Sequence, residues 1–252
     1  MPLSAASGGR LKQTAFALGV GPRLQRLKWA LEPEHVARDR RDNAHLRAVL
    51  AAVLAPDAHC IDVGAHRGEM LADFVRLAPR GRHIAYEPLP ELHSELARRF
   101  PQVDVRRAAL SDRSGEAEFV HVLTRPGWSG FRERPYPGQE DLERIAVRVE
   151  RLDDSLPAGY SPSFIKIDVE GAEREVLAGA AETIAAHRPL VAFEHGLGSA
   201  EHYGTGPQDL WGLLVEAAGL RIFDLDGGGP YTSARFEEAF ALGQRVNFFA
   251  RP

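Results

Sequence analysis

From Asp42 onward the chain alternates short apolar runs with longer segments in which apolar residues recur every three or four positions. The runs "HCIDV", "HIAYE", "VDVRRAAL", "SFIKIDV", "PLVAFEH", "LRIFDL" and "RVNFFA" predict seven strands. Between them, "GEMLADFVRLA", "PELHSELARRF", "AEREVLAGAAETIAAH" and "GPQDLWGLLVEAAG" predict helices. Ahead of the first strand, "DNAHLRAVLAAVLAP" places Leu46, Val49, Leu50, Val53 and Leu54 on one face. That predicts a helix starting at Asp42 and closed by Pro56. Repeated strand–helix units with right-handed crossovers build a mostly parallel sheet covered on both faces. The last two runs break the alternation, so the final strand is expected to enter antiparallel.

One interruption lies between the third and fourth strands. "EAEFVHV" and "RVERLDDSL" predict two short strands around a Pro- and Gly-rich loop, Thr124 to Asp141, which carries Trp128, Phe131 and Tyr136. Long loops in compact domains are commonly functional, and this one is expected to face an acceptor as a lid. In residues 1–41, Leu24, Leu27 and Leu31 recur at helical spacing. The expected organisation is an N-terminal helical extension over 1–41 and one domain over 42–252.

Composition narrows the classes. With 252 residues, 44% hydrophobic and 26% charged, the chain reads as a soluble globular protein. A net charge of -4 without a long basic run argues against nucleic acid as a partner. The single cysteine, Cys60, makes no internal disulfide and reads as a small buried hydrophobe. No apolar run approaches the ~20 residues of a membrane span. "TAFALGVG" is followed by Pro22-Arg23 where an export signal would carry a cleavage site. The expectation is a cytoplasmic chain.

Candidate chemistry gathers at the strand ends. "CIDVGAHRGEM" runs from a strand through a turn, Gly64-Ala65-His66-Arg67-Gly68, into a helix. Backbone can approach a cofactor closely there, although the spacing is not that of the dinucleotide fingerprint. Glu87 ends the second strand, placed to accept ribose hydroxyls. Ser111 and Asp112 follow the third, placed near an adenine amine. Asp168 and Glu170 follow the fourth in "KIDVEGAE". Four acids, Asp62, Glu87, Asp112 and Asp168, thus mark four successive strand ends, where open α/β sheets bind ligands. They suit a cationic, ribose-bearing cofactor such as S-adenosylmethionine better than a phosphate-rich one. By alternation, Lys166 points away from Ile165 and Ile167, toward an acid.

These motifs carry a resemblance. "IDVGAHRG", "YEPLPELHSELARRF", "AALSDRSGEAEF", "VERLDDSL" and "FIKIDVEGAEREVLAGAAETIAAHRPLVAFEHG" are similar, in order and spacing, to the FkbM family of S-adenosylmethionine-dependent methyltransferases. The resemblance runs from about Asp42 to Gly196. It implies a class I, Rossmann-like methyltransferase fold and O-methylation of a hydroxyl on a sugar or natural product. Two departures stand out: His66 replaces the usual Asn, and Met70 lies where Thr or Ser is usual. The expected cofactor residues are Asp62, Gly64, Ala65, Gly68, Glu87, Ser111, Asp112 and Asp168. Asp168, Glu170 and His195 are the expected catalytic residues, with His195 in the pKa range of a base. Glu194 with these three offers no tight ligand spacing, so metal-independent chemistry is expected. The acceptor is expected to be a small-molecule, sugar or lipid-linked hydroxyl, and the sequence is compatible with a homo-oligomer. A nicotinamide-dependent oxidoreductase and a non-catalytic cofactor-binding protein are the competing classes.

Overall fold

The structure, a computed structural model, describes residues 34–243 and 245–252. The amphipathic segment around Leu24 to Leu31 lies outside the described residues. The chain divides into two compact units, Met1–Leu46 and Arg47–Pro252. In the first, the described residues are helical, the opening part of α1 (Glu34–Val53). The helix is thus already formed at Glu34, eight residues before the expected Asp42. "EHVARDRR" holds no Gly or Pro, so nothing in it breaks the helix.

The second unit holds two sheets. The larger orders its strands β3-β2-β1-β7-β8-β10-β9. These are β1 (Cys60–Val63), β2 (Ile84–Tyr86), β3 (Asp104–Arg106), β7 (Phe164–Ile167), β8 (Leu190–Glu194), β9 (Arg221–Asp224) and β10 (Asn247–Arg251). The first five in that spatial order pair in parallel, and β10 runs antiparallel to both β8 and β9. This is the α/β, Rossmann-like arrangement expected from the sequence, including its antiparallel last strand. β1 and β2 are buried at every position, as strands covered on both faces must be. Ile61, Val63, Ile165, Ile167, Val191, Phe193 and Phe248 form the centre of the core. Cys60 lies within it, its thiol pushed up to about 12 by burial and then by Asp62. It is chemically quiet.

Two expected elements divide. "VDVRRAAL" is not one strand: β3 stays in the large sheet, whereas β4 (Ala109–Leu110) pairs with β6 (Leu142–Glu150). β6 also pairs antiparallel with β5 (Gly115–Val122) over eight residues, giving a separate sheet ordered β4-β6-β5. The expected short strands are thus a long hairpin. Their inner face, Phe119, Val147 and Val149, packs with Leu89 and Leu92 of the segment opening α3 (Pro90–Arg99). The helix expected over "AEREVLAGAAETIAAH" breaks into α5 (Glu173–Ala178) and α6 (Ala181–His187). At the break, a Cβ on Gly179 would lie 2.0 Å from the Ser111 carbonyl oxygen. Close approach of two backbones dictates both the glycine and the interruption. The segment before β10 contains a helix, α8 (Ser233–Leu242), while "GPQDLWGLLVEAAG" forms α7 (Pro207–Trp211) and continues as a π-helical turn. α2 (Glu69–Leu77) and the short α4 (Leu152–Ser155) complete the helices used below. No described helix is long and apolar enough to cross a membrane.

Candidate active site

Because β1, β2 and β7 are parallel, their carboxyl ends open on one edge. A cleft lies there. Its floor is Val63, Gly64 and His66 after β1, and Tyr86 and Glu87 from β2. Asp168, Val169 and Glu170 form the wall after β7. Leu89, Ala108, Ala109, Leu110 and Phe119 make an apolar end, and the loop between β5 and β6 roofs it with Pro126, Gly127, Ser129 and Phe131.

The turn at Gly64 follows from its surroundings. Its φ is +77, and a Cβ there would stand 2.0 Å from the Asp168 carbonyl oxygen. The carbonyl of Tyr86 accepts hydrogen bonds from the Gly64 and Ala65 amides, both at 3.1 Å, which curls the chain over β2. At Gly68, also left-handed, a Cβ would meet Leu96 and Phe100 at 2.6 Å. Two cleft residues that are not glycine share this conformation, His66 with φ 48 and Glu170 with φ 59. Such conformations are costly and cluster where a side chain must be aimed.

Glu87 is 4% exposed. Its Oε2 accepts from the His66 amide at 2.8 Å and its Oε1 from the Leu89 amide at 3.0 Å. Burial pushes its carboxyl up to about 7 against the pull of those two amides. Lys166 sits between two aspartates, Nζ at 3.2 Å from Asp168 Oδ2 and 3.5 Å from Asp62 Oδ1. Burial would depress its ammonium, but Asp168 and then Asp62 outweigh it and hold the charge. Asp62 itself is fully buried and its carboxyl is raised, chiefly by burial. Its oxygens lack a hydrogen bond of good geometry, so Lys166 neutralises Asp62 rather than saturating it. Glu170 is raised to about 7 by burial and by Asp168, with an ion pair to Arg134 opposing. Glu173, raised to about 8 chiefly by burial, accepts through Oε1 from the Val169 and Gly171 amides at 3.2 and 3.1 Å. It fixes the turn that presents Glu170.

Of the residues singled out in the sequence, Gly64, Glu87, Asp168 and Glu170 come together on the cleft. Asp62, Ala65 and Gly68 lie beneath it as the scaffold of the turn. Ser111 and Asp112 directly follow β4, whose Ala109 and Leu110 line the cleft, but are not lining residues themselves; Ser111 Oγ donates to Asp112 Oδ1 at 3.2 Å. His195 is also outside the cleft. It is 1% exposed, stacks on Phe240 with ring centroids 4.7 Å apart, and is lowered to about 4 by burial. Phe131 lines the cleft, whereas Trp128 and Tyr136 stack on each other with planes 5° apart. Arg125 covers Trp128 at 4.3 Å. These rings hold the loop in shape rather than lining the cavity. Arg134 escaped the sequence reading altogether. Only an acid brought near from β7 reveals its role, and local pattern carries no such signal.

The donor set tests the expected cofactor. Three carboxylates, Glu87, Asp168 and Glu170, line the cleft, and no Lys or Arg does. A dinucleotide needs donors for its pyrophosphate. A sulfonium and an ammonium need acids, a ribose needs an acceptor such as Glu87, and an adenine needs an apolar slot. The residues present fit S-adenosylmethionine. Among the described residues, no group of three or more His, Cys, Asp or Glu side chains is arranged to hold a metal ion.

Comparison with known proteins agrees. The Methyltransferase FkbM domain profile matches residues 62–221. A 2-O-methyltransferase, NoeI, of Sinorhizobium fredii is 30% identical over 155 residues, covering 55% of this chain and 63% of that protein. The antimetabolite synthetase AmbE of Pseudomonas aeruginosa is 41% identical over 100 residues, 38% of this chain and 5% of that protein. The chain therefore spans less than two thirds of the length of either relative. A crystal structure of methyltransferase FkbM from Methylobacillus flagellatus shares the fold, with a TM-score of 0.50 and 18% identity over 79% of this chain and 45% of that one. The profile match covers more than half of the sequence, from within β1 to the first residue of β9, and so the chain belongs to the FkbM family of methyltransferases.

Proposed function

We propose that the chain is an O-methyltransferase that moves the methyl group of S-adenosylmethionine onto a hydroxyl of a sugar, glycan or other small-molecule natural product. The observation that carries the reading is a cleft lined by three acids, Glu87, Asp168 and Glu170, that follow β2 and β7. The 2-O-methyltransferase activity in the name of the Sinorhizobium relative supports the choice of oxygen as acceptor. The nicotinamide alternative is disfavoured because Gly64-Ala65-His66-Arg67-Gly68 lacks the dinucleotide glycine fingerprint and the last strand runs antiparallel.

When bound, S-adenosylmethionine supplies an electrophilic methyl group on a sulfonium, and alignment falls to the chain. Glu87 holds the ribose, its geometry fixed by the His66 and Leu89 amides. Asp168 and Glu170 set a negative field at the reacting end. Lys166 pairs with Asp168 from behind, and Arg134 ties Glu170 to the roof. The roof over Gly127 and Ser129 excludes water from the acceptor oxygen.

Calorimetry tests the reading directly. S-adenosylmethionine and its demethylated product should bind, and NADH and NADPH should not. Glu87→Ala should weaken the first pair by about 10- to 100-fold, the loss of a charge-assisted hydrogen-bond pair. Tight binding of a nicotinamide nucleotide, or unchanged affinity in the variant, would overturn it.

A further inference from the structure

Each carboxylate on the cleft is already engaged. Glu87 accepts two backbone amides, Asp168 pairs with Lys166 at 3.2 Å, and Glu170 pairs with Arg134. His195 lies elsewhere. What remains is His66, whose ring makes no hydrogen bond among the described residues although it lines the cleft. It is held there by its backbone, with φ 48 and its amide anchored on Glu87 Oε2 at 2.8 Å. Its Nε2 faces the roof, 3.6 Å from where a Cβ on Gly127 would stand.

Resting on the methyltransferase reading, we propose that His66 is the proton acceptor for the hydroxyl that is methylated. The acceptor oxygen takes the methyl group as the carbon–sulfur bond breaks with its electron pair left on sulfur. The hydroxyl proton passes to the free nitrogen of His66 and from the imidazolium to solvent.

The surroundings suit that task. Arg67 and Glu69 from its own turn, Asp168 and Lys166 from β7, and Glu87 after β2 are the charged groups around it. The roof contributes only Pro126, Gly127 and Ser129. Burial first, then Arg67, lowers the imidazole below its usual value, partly offset by Asp168. The ring is thus neutral near pH 7, with one nitrogen free to accept a proton.

The test uses the full chain and His66→Asn, because Asn tolerates a positive φ and leaves the turn intact. Binding of the demethylated product by calorimetry should change by no more than about threefold, whereas a kcat loss of about 100-fold is expected of a missing base. Methyl transfer is followed with labelled S-adenosylmethionine and a panel of free saccharides from about pH 5.5 to about pH 9, the span in which an imidazole titrates. Glu87 and Glu170 on the same cleft also titrate near 7, so the part of the acid limb lost in the variant should coincide with the His66 titration followed by NMR, with the acceptor KM little changed. Equal kcat in variant and wild type would overturn the proposal. An imidazole of His66 that NMR finds charged at neutral pH with product bound would overturn it as well. Should the wild type bind the product yet methylate no saccharide, the saccharide class fails. The NMR titration and the variant's affinity then decide the place of His66, and a loss beyond about tenfold in affinity makes it a cofactor ligand instead of a base.

Discussion

Lys166 links the interior to the cleft through two carboxylates, Asp62 and Asp168, that the sequence places two and three residues before turn glycines. It is the counter-ion of a fully buried Asp62 and of Asp168 on the wall. Breaking a buried pair strands the remaining charge, so Lys166→Met should cost about 3–5 kcal/mol in urea denaturation. Adding Asp62→Leu should recover much of that loss, since an apolar pair of similar volume is often as stable. Gly64→Ala is a different kind of lesion. The new Cβ would sit on the Asp168 carbonyl oxygen at 2.0 Å in a left-handed backbone. A loss of more than about 2 kcal/mol is expected, together with loss of cofactor affinity, because β7 and the turn must separate. At this scale the sequence was informative about glycines and strand-end acids. It was silent on Arg134, whose partner lies 36 residues away.

Elements decide how the cleft is covered. The β5–β6 hairpin is longer than its sequence pattern announces, because Glu116, Glu118, Arg144 and Arg148 dilute the apolar signal on its exposed face. Its closing loop is tied down at several points. Arg134 holds Glu170 and the Gly198 carbonyl, Arg132 donates to the His202 carbonyl at 2.9 Å, and Ser129 Oγ accepts from the Val122 amide at 3.0 Å. Arg134→Gln should loosen the roof without unfolding the hairpin. Hydrogen exchange over residues 124–141 should speed up by at least about tenfold, while β5 and β6 keep their protection. Release of the demethylated product in stopped flow should quicken in parallel. Equal exchange in variant and wild type would show that the ion pair does not hold the loop.

Across the whole molecule, the site stores proton-linked free energy. Glu87 and Glu170 stand near 7 and Glu173 near 8, all raised by burial. A carboxyl whose folded pKa exceeds its unfolded one contributes stability fully below about pH 4.5, lost as pH rises through the folded value. Glu173→Gln keeps the oxygen that accepts the Val169 and Gly171 amides but removes the titration. Relative to this variant, the wild type should lose on the order of a few kcal/mol between about pH 5 and about pH 8. His195 runs the other way. Its pKa is lowered to about 4, so its contribution is present above about 6.5 and lost as pH falls. His195→Phe should relieve that acid sensitivity, on the order of 3 kcal/mol by pH 4. Denaturation midpoints across the pH range check both.

By itself the sequence determined the alternation of strands and helices, the antiparallel last strand and the glycine turn flanked by strand-end acids. Those features are local, written in periodicity and in residues that a tight backbone demands. Tertiary structure alone decided the rest. It split "VDVRRAAL" between two sheets and set Ala109 and Leu110, rather than Ser111 and Asp112, on the cleft. It buried His195 against Phe240, and it left His66 as the cleft side chain without a hydrogen-bond partner among the described residues. Which polar group is saturated depends on neighbours distant in sequence. The desolvation that tunes its proton affinity depends on how the sheets close over it, and no run of adjacent residues encodes either.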